Sequence, residues 1–325
     1  MNFPRVLLVL TLASFTAIGA DLRVGLIGLD TSHVVAFTEL LNTSTHAKHV
    51  KGARVVAAFK GGSPDLPSSW NRVEGYTKDL ESRFQVRMVE SIDALCSQVD
   101  AVFLMSVDGR PHLEQLRPVL KARKPVFIDK PLAGSLKDAV EIHRLVKESG
   151  VPCFSSSSYR FYESMRDLKA IEIGKLQAAI SYGPAEKEPH HPDLYWYGVH
   201  ATEALFTVMG QGCQSVSRTA TDATDVVVGV WKEGRTGTLM GLRTGATPHK
   251  VILFGSKAVA EQKGSGDYAP LVQEIVKFLQ TGKAPVSMDE TLEMFAFMEA
   301  ADESKRQAGA PVTLKSVLEK ATPAR

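Results

Sequence analysis

The stretch Pro125-Val126-Phe127-Ile128-Asp129-Lys130-Pro131 decides how this chain is read. Val126, Phe127 and Ile128 are β-branched or aromatic, the composition of a strand buried on both faces, and Pro131 has no N–H with which to continue a ladder. Asp129 and Lys130 therefore fall at the strand's carboxyl edge. In an open α/β sheet ligands bind at that edge, which makes the lysine a candidate for substrate or cofactor contact. The competing reading is a surface Asp–Lys pair that merely closes a strand.

Upstream of this stretch, short apolar runs at Leu22 to Gly28, Arg54 to Phe59, Val86 to Val89 and Ala101 to Met105 read as further strands. Between them, helices are expected from Thr31 or Ser32 through Leu41, over Ser91 to Gln98, and over His112 to Ala122. Strands and helices in this alternation predict a doubly wound parallel sheet of Rossmann type over residues 21–150. The turn after the first strand is Gly28-Leu29-Asp30-Thr31-Ser32-His33. A dinucleotide fingerprint beginning at Gly28 would have glycines at 30 and 33, and a carboxylate at 30 is expected to repel a pyrophosphate. After the second strand, Lys60 stands where an acid would hold ribose hydroxyls. It suits a 2′-phosphate, with Gly61 and Gly62 forming an anion nest or a simple turn. Residues 63–79, rich in proline, serine and glycine, read as an inserted loop near the cofactor face.

Composition narrows the class. The chain has 325 residues, 44% hydrophobic and 23% charged, which is enough for two cores. Val6 to Ala17 are almost wholly apolar behind Arg5, and Ile18-Gly19-Ala20 precede Asp21. Residues 1–20 thus read as a signal peptide cut after Ala20, and the mature protein as soluble in the periplasm or outside the cell. An uncleaved anchor is the alternative. The formal charge of +2 falls by one when Arg5 is removed, which leaves no electrostatic footprint for nucleic acid or an anionic membrane. Cys96, Cys153 and Cys213 lack metal-ligand spacing and allow at most one internal disulfide.

From Cys153 onward the pattern changes. Residues 151–325 are expected to form an α/β domain on a mainly antiparallel open sheet, with strands at Ala178 to Tyr182, Ser215 to Ala220, Asp225 to Trp231, Thr236 to Arg243 and Lys250 to Phe254. The open face offers a surface for a second copy of the chain. Helices are expected at Glu163 to Ile173, His200 to Val208, Ala269 to Leu279 and Asp289 to Gln307, the last with Leu292, Phe295, Met298 and Ala301 as a packing stripe. The richest polar stretch is His190-His191-Pro192-Asp193-Leu194-Tyr195-Trp196-Tyr197-Gly198-Val199-His200. Its histidines and Asp193 have no recognised ligand spacing, so no metal is assigned. Tyr195, Trp196 and Tyr197 suit a carbohydrate, whose apolar ring faces stack on aromatic side chains; a hydrophobic structural turn competes for Trp196.

Asp100-Ala-Val-Phe-Leu-Met-Ser106, His112, Ile128-Asp129-Lys130-Pro131 and Tyr159-Arg160-Phe161, in that order, resemble the Gfo/Idh/MocA family of sugar and polyol oxidoreductases. Asp129-Lys130-Pro131 is similar to that family's Glu-Lys-Pro signature, and Trp196-Tyr-Gly-Val-His200 to its Asp-x-Gly-x-His segment. Met294 to Ser304 with Gly309-Ala-Pro-Val-Thr-Leu resembles its closing helix and strand. The resemblance covers most of the chain after residue 20. It implies a Rossmann domain followed by an antiparallel α/β domain, NAD or NADP at the first sheet's carboxyl edge, and Lys130 and His200 flanking a small carbohydrate or polyol. His200 would be general acid or base, and Lys130 would polarise the reacting oxygen or relay its proton. Tyr197, Asp193, Arg160 and His112 would orient the substrate, with Tyr195 and Trp196 beside it. The cofactor would meet Gly28, Leu29, Asp30, Thr31, Ser32 and His33, then Lys60, Ser106, His112, Asp129 and Lys130. Asp30 and His33 replace family glycines, Lys60 replaces the acid, and Trp196 replaces the aspartate. A cofactor-free descendant, either a carbohydrate-binding protein or a lyase or hydrolase using the same lysine and histidine, is the alternative.

Overall fold

A computed structural model describes residues 20–322. The expected signal peptide, apart from Ala20, lies outside the described residues. The first half alternates as expected: β1 (Leu22–Ile27), α1 (His33–Asn42), β2 (Ala53–Phe59), α2 (Pro67–Phe84), β3 (Arg87–Met88), α3 (Ile92–Cys96), β4 (Ala101–Leu104), α4 (His112–Lys121), β5 (Val126–Asp129) and α5 (Leu136–Ser149). β6 (Cys153–Ser156) then pairs in parallel with β5. The sheet order is β3-β2-β1-β4-β5-β6, so strand order reverses between β1 and β4. All four residues of β4 and all four of β5 are buried, as helices on both faces of a parallel sheet require.

Two features differ from expectation. The loop predicted over residues 63–79 is largely α2, an 18-residue helix. Pro67 occupies its first turn, where a proline costs no hydrogen bond, and Val73, Thr77, Leu80 and Phe84 form its buried stripe at helical spacing. Loop-like composition concealed that period. The first sheet also extends past residue 150: β6 belongs to it, and so does a helix from far along the chain.

The second half contains α6 (Glu163–Ala170), β7 (Leu176–Pro184), α7 (Gly198–Met209), β8 (Cys213–Ala220), β9 (Thr224–Trp231), β10 (Thr236–Leu242), β11 (Lys250–Gly255) and β12 (Val259–Glu261). It closes with α8 (Ala269–Thr281), α9 (Met288–Arg306), β13 (Val312–Thr313) and α10 (Leu314–Ala321). The sheet order is β12-β11-β7-β10-β9-β8-β13, antiparallel except for the β7–β10 pair. One face is buried, with Val216, Val227, Trp231 and Leu239 in a core shared with α7 and α9. Ile180, Tyr182, Val226, Val228, Met240 and Ile252 alternate onto the other face and are only partly covered. α9 buries Met294, Ala296, Phe297 and Ala300 as well as Phe295, Met298 and Ala301, while Leu292 is only partly buried. It is buried on several sides because it also packs on α5. α8 leaves this domain altogether: Leu271, Val272, Ile275 and Phe278 join Leu26, Phe37, Phe103, Phe127 and Phe154 in the core of the first sheet. Cys96, Cys153 and Cys213 are buried free thiols.

Candidate functional site

A cleft of about 380 Å³ lies beyond the carboxyl ends of β1, β4 and β5, at the reversal of strand order. Thr31, Ser32, His33, Val107 and Lys130 form its first-sheet side, and Trp196, Tyr197, His200 and His249 form much of the opposite wall.

The floor begins at Gly28, whose φ is +84°; an added Cβ would lie 2.2 Å from Ser106 Oγ. The turns after β1 and β4 are therefore in direct contact, which only glycine permits. Leu29 is a core residue, and its N–H donates to Lys60 O at 2.7 Å. Asp30 corrects the sequence reading. Its carboxylate is fully buried beneath the turn, accepting from Ser69 Oγ at 2.6 Å and from the Val107 amide at 2.9 Å. Burial pushes its pKa up, against those hydrogen bonds. It binds β1, α2 and β4 together and does not face the path of an anion. Thr31 and Ser32 lead into α1 and do line the cleft.

At the end of β5, Asp129 Oδ2 accepts from His33 Nδ1 at 2.6 Å, and Oδ1 accepts from the Lys130 amide at 2.9 Å. Burial alone would raise the Asp129 pKa, but His33 and Lys130 hold it below the ordinary value. His33 is stacked on Phe37 and meets Tyr268 edge-on. With Nδ1 committed to Asp129, Nε2 is the His33 nitrogen left for a ligand. Lys130 Nζ lies 5.9 Å from the centre of the Tyr197 ring. Burial, then Arg72, depress its pKa, while Asp129 and Asp30 oppose them.

His200 lies in the first turn of α7, and its Nδ1 is 2.8 Å from Ser157 Oγ. Its pKa sits well below the imidazole value, chiefly through burial and further through Lys130, His249 and His33. Tyr197 stands at the rim, 41% exposed, and Trp196 packs against His191.

The remaining expected residues lie elsewhere. Lys60 is exposed and pairs with Glu74 at 3.1 Å. Ser106 is buried and donates to Gln115 Oε1 at 2.9 Å. His112 is fully buried, its ring between the carbonyls of Leu132 and Ser106; it anchors the turn after β4 and does not reach the cleft. Arg160 is bound to Glu203 at 2.5 Å and to Glu290 at 2.6 Å, a buried ion pair and not a substrate contact. Asp193 faces Arg218 and Lys305, each at 2.7 Å, and Tyr195 is a core residue whose hydroxyl donates to Phe295 O. Of the three adjacent aromatics, Trp196 and Tyr197 line the cleft, while Tyr195 is turned into the core.

His190 and His191 belong to the seam between the domains. His191 Nδ1 and Glu188 are 2.9 Å apart, and His191 Nε2 lies 3.0 Å from Asp108 Oδ1, within ion-pair distance but off line for a hydrogen bond. Asp108 is held well below the carboxylate range: burial would raise it, but His191, Arg110 and Ser63 outweigh burial. Sequence reading missed His249, Tyr268 and Arg72. His249 stacks 3.9 Å from Tyr159, and burial lowers its pKa to about 4. Nothing in Thr247-Pro248-His249 marks it. Arg72 was hidden by the loop reading of residues 63–79, although a helix period there brings it toward the cleft.

The residues present fit a dinucleotide. Thr31 and Ser32 face the cleft at the positive end of α1, and the one carboxylate expected to oppose a phosphate is turned inward and hydrogen-bonded.

Comparison with known proteins agrees with this geometry. Residues 22–157 match the model of an oxidoreductase family with an NAD-binding Rossmann fold. The uncharacterized oxidoreductase YhhX of Escherichia coli (strain K12) is 27% identical over 148 residues, which is 42% of this chain and 40% of YhhX. Scyllo-inositol dehydrogenase from Lactobacillus casei, solved with bound NAD(H) and scyllo-inositol, superposes with a TM-score of 0.75 at 15% identity, covering 91% of this chain and 100% of that one. A probable dehydrogenase from Thermotoga maritima gives 0.74 at 21% identity, with 91% and 100% covered. At such identities these structures establish a shared two-domain fold. The match to the oxidoreductase family model spans residues 22–157, and the likeness to these solved structures extends the same fold over most of the chain.

Proposed function

We propose that the protein is an exported NAD- or NADP-dependent oxidoreductase acting on a hydroxyl of a sugar or polyol. The observation that carries this reading is the convergence of Lys130 and His200, from different domains, on one cleft floored by the start of α1. Thr31 and Ser32 would hold the cofactor's phosphates, and Lys130 and His33 would lie at its reactive end. The bound nicotinamide would take up hydride from the carbon that carries the hydroxyl. His200, neutral at pH 7 because its pKa is depressed, receives the hydroxyl proton at Nε2. That role requires the tautomer in which Nδ1–H donates to Ser157. Lys130 polarises the same oxygen. Trp196 and Tyr197 offer aromatic surface to a sugar ring. Export is supported by the apolar run from Val6 to Ala17.

The test is calorimetric titration of the purified protein with NAD and NADP, alongside nicotinamide absorbance during incubation with a panel of sugars and polyols. Saturable nucleotide binding and substrate-dependent reduction are expected; absence of nucleotide binding would overturn the reading. One observation favours the second reading, cofactor-free acid–base chemistry. His33 replaces the third glycine, and Asp129 holds it with one ring nitrogen free at the cleft.

A further inference from the structure

The charges lining the cleft are all of one sign. Among its lining residues Arg72 and Lys130 are the only arginine and lysine, and none is a carboxylate. Among the described residues neither cation makes a salt bridge, and neither side chain donates a hydrogen bond. Elsewhere the protein pairs its enclosed cations thoroughly. Arg160 meets Glu203 and Glu290, Arg218 meets Asp193, Asp225 and Asp302, and Arg110 meets Asp65 and Asp108. The two carboxylates nearest the cleft are already engaged: Asp129 by His33, and Asp30 by Ser69 and Val107.

We propose that Arg72 and Lys130 form a clamp for a carboxylate, so that the substrate is a polyhydroxy acid of the aldonic or uronic type and not a neutral polyol. The inference rests on the reading of this cleft as the substrate site. An ammonium withdrawn from water beside a guanidinium is unfavourable until an anion lies between them, and Arg72 already lowers the basicity of Lys130. A neutral polyol would leave Arg72 without a partner and Lys130 offset only through the nearby charges of Asp129 and Asp30. A carboxylate would satisfy both, with the planar guanidinium able to bind its two oxygens together. Arg72, on α2, stands exposed at the rim, where it can close on a bound acid; Lys130 reaches from the end of β5. The wall opposite comes from the second domain, through Tyr197 and His200. That places the clamp at the substrate end of the cleft. An anionic oxygen pair could also belong to a cofactor phosphate, and the experiment separates the two sources.

Binding of D-gluconate and D-glucitol, and of D-galacturonate and D-galactose, is measured by calorimetry on the mature chain with and without saturating NAD. Each acid is expected to bind at least about tenfold more tightly than its neutral counterpart, the worth of one charge-assisted contact. Its affinity should weaken as salt is raised. Arg72→Gln, a change at an exposed position, should remove that preference and leave NAD affinity within about twofold. A panel in which no acid outbinds its neutral counterpart overturns the proposal. So does an Arg72→Gln variant that loses NAD affinity while keeping the acid preference, because the cation then serves the phosphate. Acid preference in a protein that binds no nucleotide would sink the redox reading and leave the clamp standing.

Discussion

Lys130 and His200 are both held in the less charged direction, each chiefly by burial and then by a neighbouring cation, Arg72 beside Lys130 and Lys130 beside His200, and this sets how activity should respond to pH. Base catalysis by His200 needs its neutral form. With its pKa displaced below the ordinary value of about 6.5, the neutral form persists into more acidic solution, so the acid limb of kcat/KM should fall below that value. An acid limb at or above it would assign the titrating group elsewhere. Replacing either residue with alanine should lower turnover by about 10²- to 10⁴-fold, and the double variant should be little worse than either single one. These two residues were legible in the sequence because a proline ends one strand beside the lysine and a glycine opens the helix that carries the histidine. Arg160, Asp193 and Tyr195 were not. Their types suit a ligand, but each finds its partner inside the protein, and the partners come from distant segments such as Glu290, Lys305 and Phe295.

The turn between β1 and α1 looks, as a string of residues, like a damaged phosphate loop; in three dimensions it is a joint among three elements. Asp30 gives Ser69 of α2 and the Val107 amide after β4 an acceptor that nothing else supplies. Asp30→Gly is therefore expected to loosen the joint, not to open a phosphate path. It should cost about 1–3 kcal/mol, the penalty for stranding buried donors, with no gain in NAD affinity. Thermal unfolding and calorimetry of the same variant measure both. Tighter NAD binding would show that the carboxylate does oppose the phosphates. Most strands of both sheets could be read to within two residues because burial on one or two faces imposes a simple period, whereas the short strands β6 and β12 were not read. α2 was missed because it carries the proline, serines and glycine of a loop, and of its five buried residues, Ser69, Val73, Thr77, Leu80 and Phe84, two are polar.

At the scale of the whole molecule, the face of the second sheet that carries Ile180, Val226, Val228, Met240 and Ile252 is only partly covered among the described residues. A continuous face of this kind fits association with a second copy of the chain. Light scattering should give at least a dimer, and Val228→Lys, in the middle of a central strand, should shift it toward monomer with little change in thermal unfolding. A wild-type monomer at micromolar concentration would overturn the assignment. The boundary expected at residue 150 follows the change of strand pattern, which is local information; that β6 and α8 belong with the first sheet is not. That helix, α8, caps the first sheet with Leu271, Val272, Ile275 and Phe278. A ribosome, or a membrane channel passing the chain from its amino end, delivers β1 to β6 long before α8. The first domain must therefore wait with the Phe154 side of one face uncovered until residue 281 has emerged, and the part of the protein that is made first is among the last to be finished.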